Sequence, residues 1–478
     1  MKSNSTDSVL SEKNDSVGRV RLVMDHIRQR VSKGALATGD RLPSVRACAS
    51  LLSVSPSTVV EAYSRLVAEG EIFARRGSGF YISDRSRPRV LANPGAHLER
   101  EIDPLWVMRQ SLEADRPLAM PGCGWLPEAW MPIDAIRKGL RTTARGEVSG
   151  LVGYTSPLGY LPFRNHLERR LNDRGIPARA DRIVLTDSGT QAIDLLCRLL
   201  LRRGDMVMVD DPCYFNFLNI LRAHEATVIG IPFTPTGPDL DVMSAVVSTS
   251  KPRLYLTSAS PHNPTGVSIS PVAQHRILKL AEANDFLIIE DDVFADFEPV
   301  PTTRLAAFDG LERVAYVGSF SKTLSASMRC GFVAVPAEWV DSLTDLRLAS
   351  TFGGNEVTAR LLHDLLTNGA YRRHLENVRS KLARNYPTVL NHLSASGLKL
   401  WTEPRAGMFF WTELPANLEA VEVARYAMKQ GVLLAPGNVF SAGLRWPSFL
   451  RFNVAQSDDE SIYHTLRKAM KHSDGVLG

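Results

Sequence analysis

Two kinds of hydrophobic pattern divide the chain. Near the N-terminus, apolar residues recur at helical spacing and predict a helix with one buried face: Val20, Val23, Met24, Ile27 and Val31. From about residue 114, short runs of consecutive apolar residues alternate with helical patterns. These runs include residues 206–209, 254–256, 287–289, 314–317 and 332–335. Continuous apolar runs between helices predict an α/β domain with a mainly parallel sheet that is covered on both faces.

Two short helices follow the first helix around a tight turn. Ser44 suits the N-cap of the second helix, and Ser55 followed by Pro56 predicts the start of the third. Residues 71–73 and 80–82 are β-prone and flank a basic, glycine-rich tip, which predicts a hairpin. This order of elements predicts an α+β winged helix-turn-helix, in which the third helix enters the DNA major groove.

The positive charge of the chain is concentrated in the same segment. The 478 residues carry a formal charge of +5; residues 1–90 contain 15 Lys and Arg against 9 Asp and Glu, and the remainder contains 41 against 42. The excess indicates a polyanionic partner. We therefore expect the helix start and the basic tip to contact DNA through Ser55, Ser57, Thr58, Arg75 and Arg76. A purely structural helical bundle with solvated arginines is the alternative.

Three strings in this segment resemble the N-terminal domain of GntR-type regulators. They are residues 39–46 (GDRLPSVR), 54–63 (VSPSTVVEAY) and 77–80 (GSGF). The resemblance covers about residues 17–82. It implies that DNA is touched by the start of the third helix, by Arg46, and by Gly77, Ser78 and Gly79 of the wing.

Composition predicts the remaining boundaries. Residues 1–16 are polar and rich in serine, as expected of a disordered tail. We assign 17–82 to the winged helix, 83–113 to an exposed linker, and 114–478 to the α/β domain.

Membrane and secreted classes are excluded by the same composition. No apolar run approaches the roughly 18 residues of a membrane span, and the N-terminus lacks the apolar core of a signal peptide. The five cysteines form no C-x-x-C pair, which favours reduced thiols and a cytoplasmic location.

One lysine leaves the end of the apolar run 314–317. Residues 318–322 read Gly-Ser-Phe-Ser-Lys, and Arg329 follows seven residues later. Enclosure and a nearby guanidinium disfavour the ammonium form of Lys322. An amine in that state can form a Schiff base with an aldehyde such as pyridoxal phosphate (PLP). For this string taken alone, a solvated surface lysine is the alternative.

Other polar clusters lie at or near strand ends, where ligands of such sheets bind. Ser188, Gly189 and Thr190 begin a predicted helix and can offer N–H groups and hydroxyls to a phosphate. The alternative is an ordinary helix cap. Tyr214 follows a strand and can lie against a planar ring, although simple packing also explains it.

Two further side chains complete the predicted constellation. Asn263 stands between Pro261 and Pro264 in a tight turn that aims its amide at a ligand oxygen, unless the turn is a plain loop. Asp291 follows the apolar run 287–289 and should need a cationic partner if it is buried. A pyridinium nitrogen or an arginine would serve.

In this order the clusters resemble those of fold-type I PLP-dependent aminotransferases, over residues 114–478. The resemblance implies a smaller C-terminal α/β subdomain and a Schiff base between Lys322 and PLP. Asp291 would pair with the pyridine nitrogen, Asn263 with the ring hydroxyl, and Tyr214 would stack on the ring. The implied phosphate ligands are Ser188, Gly189, Thr190, Ser319, Ser321 and Arg329.

The resemblance also assigns three residues away from the ring. Tyr154, in residues 153–159 (GYTSPLG), matches a tyrosine that reaches the partner subunit's phosphate and so implies a homodimer. Arg451, in residues 449–453 (FLRFN), matches the arginine that holds a substrate carboxylate through two parallel hydrogen bonds. Phe294 stands three residues after Asp291, where aminotransferases usually place a tyrosine hydroxyl.

A winged helix followed by an aminotransferase-like domain is the architecture of the MocR subfamily of GntR regulators. It implies a homodimeric, PLP-dependent transcription regulator that binds double-stranded operator DNA and senses PLP or an amino-containing effector at Lys322. A working aminotransferase with an accessory DNA-binding segment is the alternative, favoured by the retained Lys322, Asp291 and Arg451. A scaffold that binds no PLP is a third possibility.

Overall fold

The structure is a computed structural model in two compact units, Met1–Val90 and Leu91–Gly478. It describes residues 7–32, 36, 39–68, 71–75, 78–82, 102, 104–112, 118–258, 261–404, 406–415 and 418–477.

The first unit is a winged helix-turn-helix, as predicted. Its elements are α1 (Asp7–Ser32), α2 (Val45–Leu52), α3 (Pro56–Ala68), β1 (Ile72–Arg75) and β2 (Gly79–Ile82). β1 and β2 pair antiparallel to form the wing. The predicted caps are present, because Ser44 Oγ accepts a hydrogen bond from Ala47 N and Ser55 Oγ accepts one from Thr58 N, both at 3.2 Å.

The helical periodicity of the sequence maps onto a core between the three helices and the wing. Val23, Val59 and Leu66 are fully buried there, and Tyr63 is buried with its hydroxyl donating to Pro43 O at 2.9 Å. That bond ties the third helix to the segment before the second. The angle between the two helices of the DNA-reading pair is thereby held by a core hydrogen bond as well as by packing.

The N-terminal boundary differs from our expectation. The structure begins α1 at Asp7, inside the segment 1–16 that we expected to be a disordered tail. Leu10, Glu12 and Lys13 are good helix formers and extend the helix that the apolar stripe from Val20 establishes. Residues 1–6 lie outside the described residues, as does most of the linker assigned to 83–113.

The second unit is built on an eight-stranded sheet. Its strands are β3 (Ile183–Thr186), β4 (Met206–Asp211), β5 (Thr227–Thr234), β6 (Gly237–Pro238), β7 (Leu254–Ser258), β8 (Leu287–Asp291), β9 (Val314–Ser319) and β10 (Gly331–Ala334). The strand order is β3-β10-β9-β8-β7-β4-β5-β6. Strands β9, β8, β7, β4 and β5 are parallel, which confirms the predicted mainly parallel sheet. β10 is antiparallel to both neighbours.

Helices pack around this sheet and the core beside it. They are α4 (Pro104–Leu112), α5 (Ile133–Ala144), α6 (Ser149–Val152), α7 (Leu161–Asn172), α8 (Gly189–Leu200), α9 (Phe215–Ala223), α10 (Leu240–Ser250), α11 (Pro271–Asn284), α12 (Leu305–Asp309), α13 (Val340–Thr351), α14 (Glu356–Thr367) and α15 (Ala370–Ala395). The strands facing them are buried on both sides, which explains their nearly continuous apolar sequences.

A smaller C-terminal part is also present, as predicted. It contains α16 (Ala420–Lys429), α17 (Glu460–Leu477) and an antiparallel sheet of β11 (Lys399–Leu400), β12 (Phe409–Glu413), β13 (Ala435–Pro436) and β14 (Phe449–Asn453). The strand order is β11-β12-β14-β13. None of the helices in the described ranges is long and apolar enough to cross a membrane.

Candidate functional site

Eleven of the predicted site residues line one cavity of about 320 Å³ in the second unit. It lies beyond the carboxyl ends of the parallel strands, where the chain leaves β8 and β9. The predicted residues on its wall are Ser188, Gly189, Thr190, Tyr214, Asn263, Asp291, Ser319, Ser321, Lys322, Arg329 and Arg451. Six separate stretches of sequence therefore converge on a single space.

Lys322 reaches this cavity from the turn after β9. Its Nζ lies 5.9 Å from the centre of the Trp125 ring. Burial and the positive charge of Arg451 lower the pKa of the Lys322 amine to about 8. A substantial fraction of the amine is therefore neutral near physiological pH, which is the form that can act as a nucleophile.

Asp291 is the last residue of β8 and is 4% exposed. Burial raises the pKa of its carboxyl to about 7, against a hydrogen bond from Val293 N at 3.3 Å. Among the described residues it forms no ion pair, whereas its neighbour Asp292 accepts a hydrogen bond from Arg304 Nε at 2.7 Å. The charge of Lys322 favours the ionised form of Asp291, but no described cationic side chain lies within ion-pair distance of it.

The N-terminus of α8 and the turn after β9 form one end of the cavity. Ser188 Oγ caps the helix by accepting from Gln191 N at 3.0 Å. On the other side, Ser319 Oγ accepts from Ser321 N at 3.2 Å and donates to Cys330 O at 3.1 Å. These contacts hold backbone N–H groups and hydroxyls around a space suited to an anion.

Two backbone features support the same end. Arg329 has a φ of 46°, a left-handed conformation that is uncommon for a residue with a side chain. A Cβ at Gly331 would lie 2.5 Å from Ser188 C and 2.6 Å from Gly189 N. The anion-binding end therefore depends on close backbone approach, which only glycine permits at residue 331.

Arg451 and Asn263 form the opposite wall. The guanidinium of Arg451 is 1% exposed, and its Nη1 donates to Asn263 Oδ1 at 2.8 Å while Nη2 donates to Gly122 O at 2.6 Å. It lies between the rings of Phe409 and Phe440, 4.5 and 4.8 Å from their centres. Burial lowers the pKa of Arg451 to about 10. No described carboxylate pairs with it, and its Nε has no hydrogen-bond partner there.

The aromatic residues of the site divide into two groups. Tyr214 lies on the cavity wall, with its ring 5.4 Å from that of Phe217. Phe294 is instead packed in the core, 5.2 Å from the ring of Phe409. Of these two neighbouring residues, Val293 lines the cavity and Phe294 does not. The segment still contributes no hydroxyl.

Tyr154 lies away from the cavity, and its side chain is 87% exposed. Its ring meets that of Phe352 edge to face at 5.3 Å, and Phe352 is itself 70% exposed. Val148 and Val152 are also exposed nearby in the sequence. Within a single copy Tyr154 is thus not brought to the other predicted site residues.

Sequence reasoning missed three parts of the cavity wall. They are the stretch from Gly122 to Trp125, the α4 residues Val107, Met108 and Ser111, and the α9 residues Phe215, Asn216 and Ile220. A Cβ at Gly122 would lie 2.6 Å from Ala435 N. The closely spaced glycines of the Gly-Cys-Gly-Trp string were the available signal, because paired glycines often mark close backbone approach.

The predicted DNA contacts lie on the surface of the first unit. Arg46, Ser55, Ser57 and Arg75 are exposed, and Thr58 is half-buried. Ser55 Oγ is 2.8 Å from both Ser57 Oγ and Thr58 Oγ1, so the three hydroxyls form one cluster at the start of α3.

The wing tip is only partly described. Gly79 is exposed with a φ of 111°, and Ser78 Oγ lies 2.6 Å from the hydroxyl of Tyr81. Arg76 and Gly77 lie outside the described residues. Arg41, which we had not singled out, is exposed and would be 3.3 Å from a Cβ at Gly79, so it adds a charge beside the wing.

Comparison with protein families agrees with both units. Residues 127–468 match the model of the aminotransferase class I and II family, and the chain belongs to that family. Residues 20–82 match the model of the bacterial regulatory proteins of the gntR family. The combination is that of the MocR-type regulators to which the sequence motifs pointed.

Two transcriptional regulators are similar to nearly the whole chain, and one solved aminotransferase structure is similar to four fifths of it. The uncharacterized HTH-type transcriptional regulator YdcR of Escherichia coli is 28% identical over 90% of this chain and 94% of its own. The HTH-type transcriptional regulator NorG of Staphylococcus aureus is 25% identical over 90% of this chain and 98% of its own. Kynurenine aminotransferase from Pyrococcus horikoshii, crystallised with PMP, has a TM-score of 0.72 and 24% identity over 80% and 96% of the two chains.

Proposed function

We propose that this protein is a DNA-binding transcription regulator whose aminotransferase-like unit binds PLP at Lys322 and responds to an amino-containing effector. The observation that carries the proposal is the meeting of Lys322 with the unpaired Asp291 in one cavity. The wall of that cavity also contains an anion-binding end. The relatives named as transcriptional regulators, and the gntR match, support DNA binding by the first unit.

The residues present fit PLP. Asp291, buried and without a described cationic partner, suits a protonated pyridine nitrogen, which would return its pKa toward that of an ordinary carboxylate. Asn263 would face the ring hydroxyl and Tyr214 the ring plane. Ser188, Gly189, Thr190, Ser319, Ser321 and Arg329 would hold the phosphate.

When bound, PLP supplies an aldehyde that primary amines capture reversibly. Lys322 would hold that aldehyde, because burial and Arg451 lower the pKa of its amine to about 8 and keep part of it neutral and nucleophilic near neutral pH. Arg451 has one guanidinium edge fixed by Asn263 and Gly122, and it is the cation available to a ligand carboxylate. The protein can therefore distinguish an amino acid from a simple amine.

For control of DNA binding, the effector must interact differently with two arrangements of the protein. We propose a homodimer, with two winged helices reading two half-sites. Tyr154 and Phe352, exposed on the second unit, are available to an apolar contact with the second copy. In that contact Tyr154 would reach the phosphate end of the partner's cavity.

The DNA-binding part of the proposal is tested by selecting operator sequences from random duplexes with the full-length protein. Anisotropy then compares their affinity for the intact chain and for residues 84–478. The intact chain should bind sequence-specifically and the shortened chain should not. Equal sequence-specific binding by both would contradict the assignment of DNA reading to residues 17–82.

A working aminotransferase is the second candidate, and it is favoured by the presence of Lys322, Asp291 and Arg451 in one cavity. Against it, Val293 and Phe294 place no hydroxyl from this segment at the cavity. Steady conversion of an amino donor and a keto acid at about 1 s⁻¹ or faster, the low end for enzymes, would establish this function. We expect slower turnover.

A further inference from the structure

The proposed PLP contacts use only part of the cavity wall. The proposed phosphate contacts occupy the end formed by α8 and the turn after β9. Tyr214, Asn263 and Asp291 are assigned to the ring, and Arg451 to a carboxylate. What remains is formed by two helices and one loop. Six apolar side chains face the cavity there: Val107, Met108 and Leu112 of α4, Phe215 and Ile220 of α9, and Trp125.

Each charged side chain on the cavity wall already has a role in the proposed function. Four charged side chains of the described residues line it: Asp291, Lys322, Arg329 and Arg451. In the proposed function the first three serve the ring, the aldehyde and the phosphate, and Arg451 serves one carboxylate. No fifth charged side chain of the described wall is left for a second carboxylate or for a side-chain ammonium.

The polar side chains of the remaining wall, Ser111, Cys123 and Asn216, do not replace a charge. Ser111 Oγ already donates to Val107 O at 2.5 Å within its own helix. Burial raises the pKa of the Cys123 thiol to about 11, so that it stays neutral at physiological pH. An ionised ligand side chain would therefore lose its water against a neutral and mainly apolar surface, which is costly.

We propose that the effector is an amino acid with a single carboxylate and an uncharged, apolar side chain. This proposal rests on the function proposed above and names the ligand class of the same site. The amine reaches the position of Lys322, the carboxylate lies against Arg451, and the side chain contacts the faces of α4 and α9. Met108 and Phe215 act there as specificity-determining residues.

The test uses three amino acids that differ in one feature at a time. Norleucine carries an unbranched four-carbon side chain, 2-aminoadipate replaces its terminal methyl with a carboxylate, and alanine removes three of its carbons. Each is titrated into the full-length, PLP-loaded protein, and the dissociation constant is read from the change in the visible absorption of the cofactor. Norleucine should bind at least about tenfold more tightly than either of the others.

Two variants of one wall residue separate charge from polarity. Met108 is half-buried on the wall, so Met108→Arg can place a cation in the apolar part of the cavity. We compare the ratio of the dissociation constant of 2-aminoadipate to that of norleucine. In this variant the ratio should be at least about tenfold lower than in the unsubstituted protein. Met108→Gln has a similar length without the charge, and it should weaken norleucine without a comparable gain for 2-aminoadipate.

The outcomes distinguish this inference from the function on which it rests. If 2-aminoadipate or alanine binds the unsubstituted protein as tightly as norleucine, the ligand class is wrong while amino-acid sensing stands. If none of the three amino acids changes the absorption but a simple primary amine does, the ligand class is overturned and amine sensing stands. If no primary amine changes it, the effector-sensing part of the proposed function is overturned as well. The ranking in the unsubstituted protein decides the question even if a Met108 variant fails to fold.

Discussion

The unpaired carboxylate of Asp291 makes a sharp prediction about stability. Burial raises the pKa of Asp291 from its ordinary 3.8 to about 7. At about 1.4 kcal/mol for each pKa unit, an ionised Asp291 in the cofactor-free protein costs up to about 4 kcal/mol. A protein interior screens a buried charge more than a dry medium does. We therefore expect the free-energy cost to be about half of that value, or ~2 kcal/mol. Asp291→Asn should therefore stabilise the cofactor-free protein at pH 8.

The pH dependence follows from the same pKa change. The folded carboxyl is protonated below about pH 7, whereas the unfolded carboxyl loses its proton above about pH 4. The cost of Asp291 thus grows as the pH rises between these values and is complete above them. The gain in free energy of unfolding caused by Asp291→Asn should be complete at pH 8 and less than half as large at pH 5.

Urea unfolding of the cofactor-free protein measures this effect. All seven tryptophans follow residue 90, so their fluorescence reports the second unit alone. Asp292→Asn is a matched control, since Asp292 is buried but paired with Arg304, and breaking that pair should destabilise the protein by about 3 kcal/mol or more. If the Asp291→Asn protein is less stable than the unsubstituted one at pH 8, or equally shifted in stability at both pH values, the ionised carboxylate of Asp291 does not carry this cost.

Other substitutions test the remaining parts of the account. Lys322→Ala should abolish the visible absorption that PLP acquires on binding, and an unchanged spectrum would exclude Lys322 as the attachment point. Gly331→Ala would force its Cβ against the backbone of Ser188, so PLP affinity measured by equilibrium dialysis should fall at least about tenfold; an affinity within twofold would contradict the close approach. Arg46→Ala should reduce the slope of log affinity for DNA against log salt by about 1 if Arg46 contacts a phosphate, and an unchanged slope would remove it from the interface.

Much of the fold could be predicted from the sequence because buried parallel strands have continuous apolar runs. The four runs 206–209, 254–256, 287–289 and 314–317 lie in β4, β7, β8 and β9. The run 332–335 overlaps β10, but the sequence did not reveal that this strand is antiparallel to its neighbours. Strand direction depends on how the chain returns to the sheet, and an apolar run is the same in either direction.

The cavity residues were predictable where a polar residue directly follows a buried strand. Asp291 and Lys322 are of this kind, since parallel strands deliver their carboxyl ends to one edge. Contacts made across the fold were not predictable. Arg451 reaches Asn263 across 188 residues of sequence, and no local pattern encodes that hydrogen bond.

The direction of side chains after a strand was the property that the sequence predicted least well. Beyond β8 the chain turns into a short 3₁₀ helix, Ala295–Phe297, which directs Val293 to the cavity and Phe294 to the core. Which of these two neighbouring side chains lines the cavity could not be predicted from the sequence. The α4 wall was missed for a different reason, because nothing local in its amphipathic sequence reveals which surface it covers.

If a ligand at Lys322 controls DNA binding by the first unit, norleucine should change the affinity of the full-length, PLP-loaded protein for its selected operator. Measured by anisotropy, this affinity should change at least about fivefold, the lower end of ordinary allosteric coupling, and it should not change in Lys322→Ala. An operator affinity that norleucine leaves unchanged, or that shifts equally in Lys322→Ala, would show that a ligand at Lys322 does not control DNA binding.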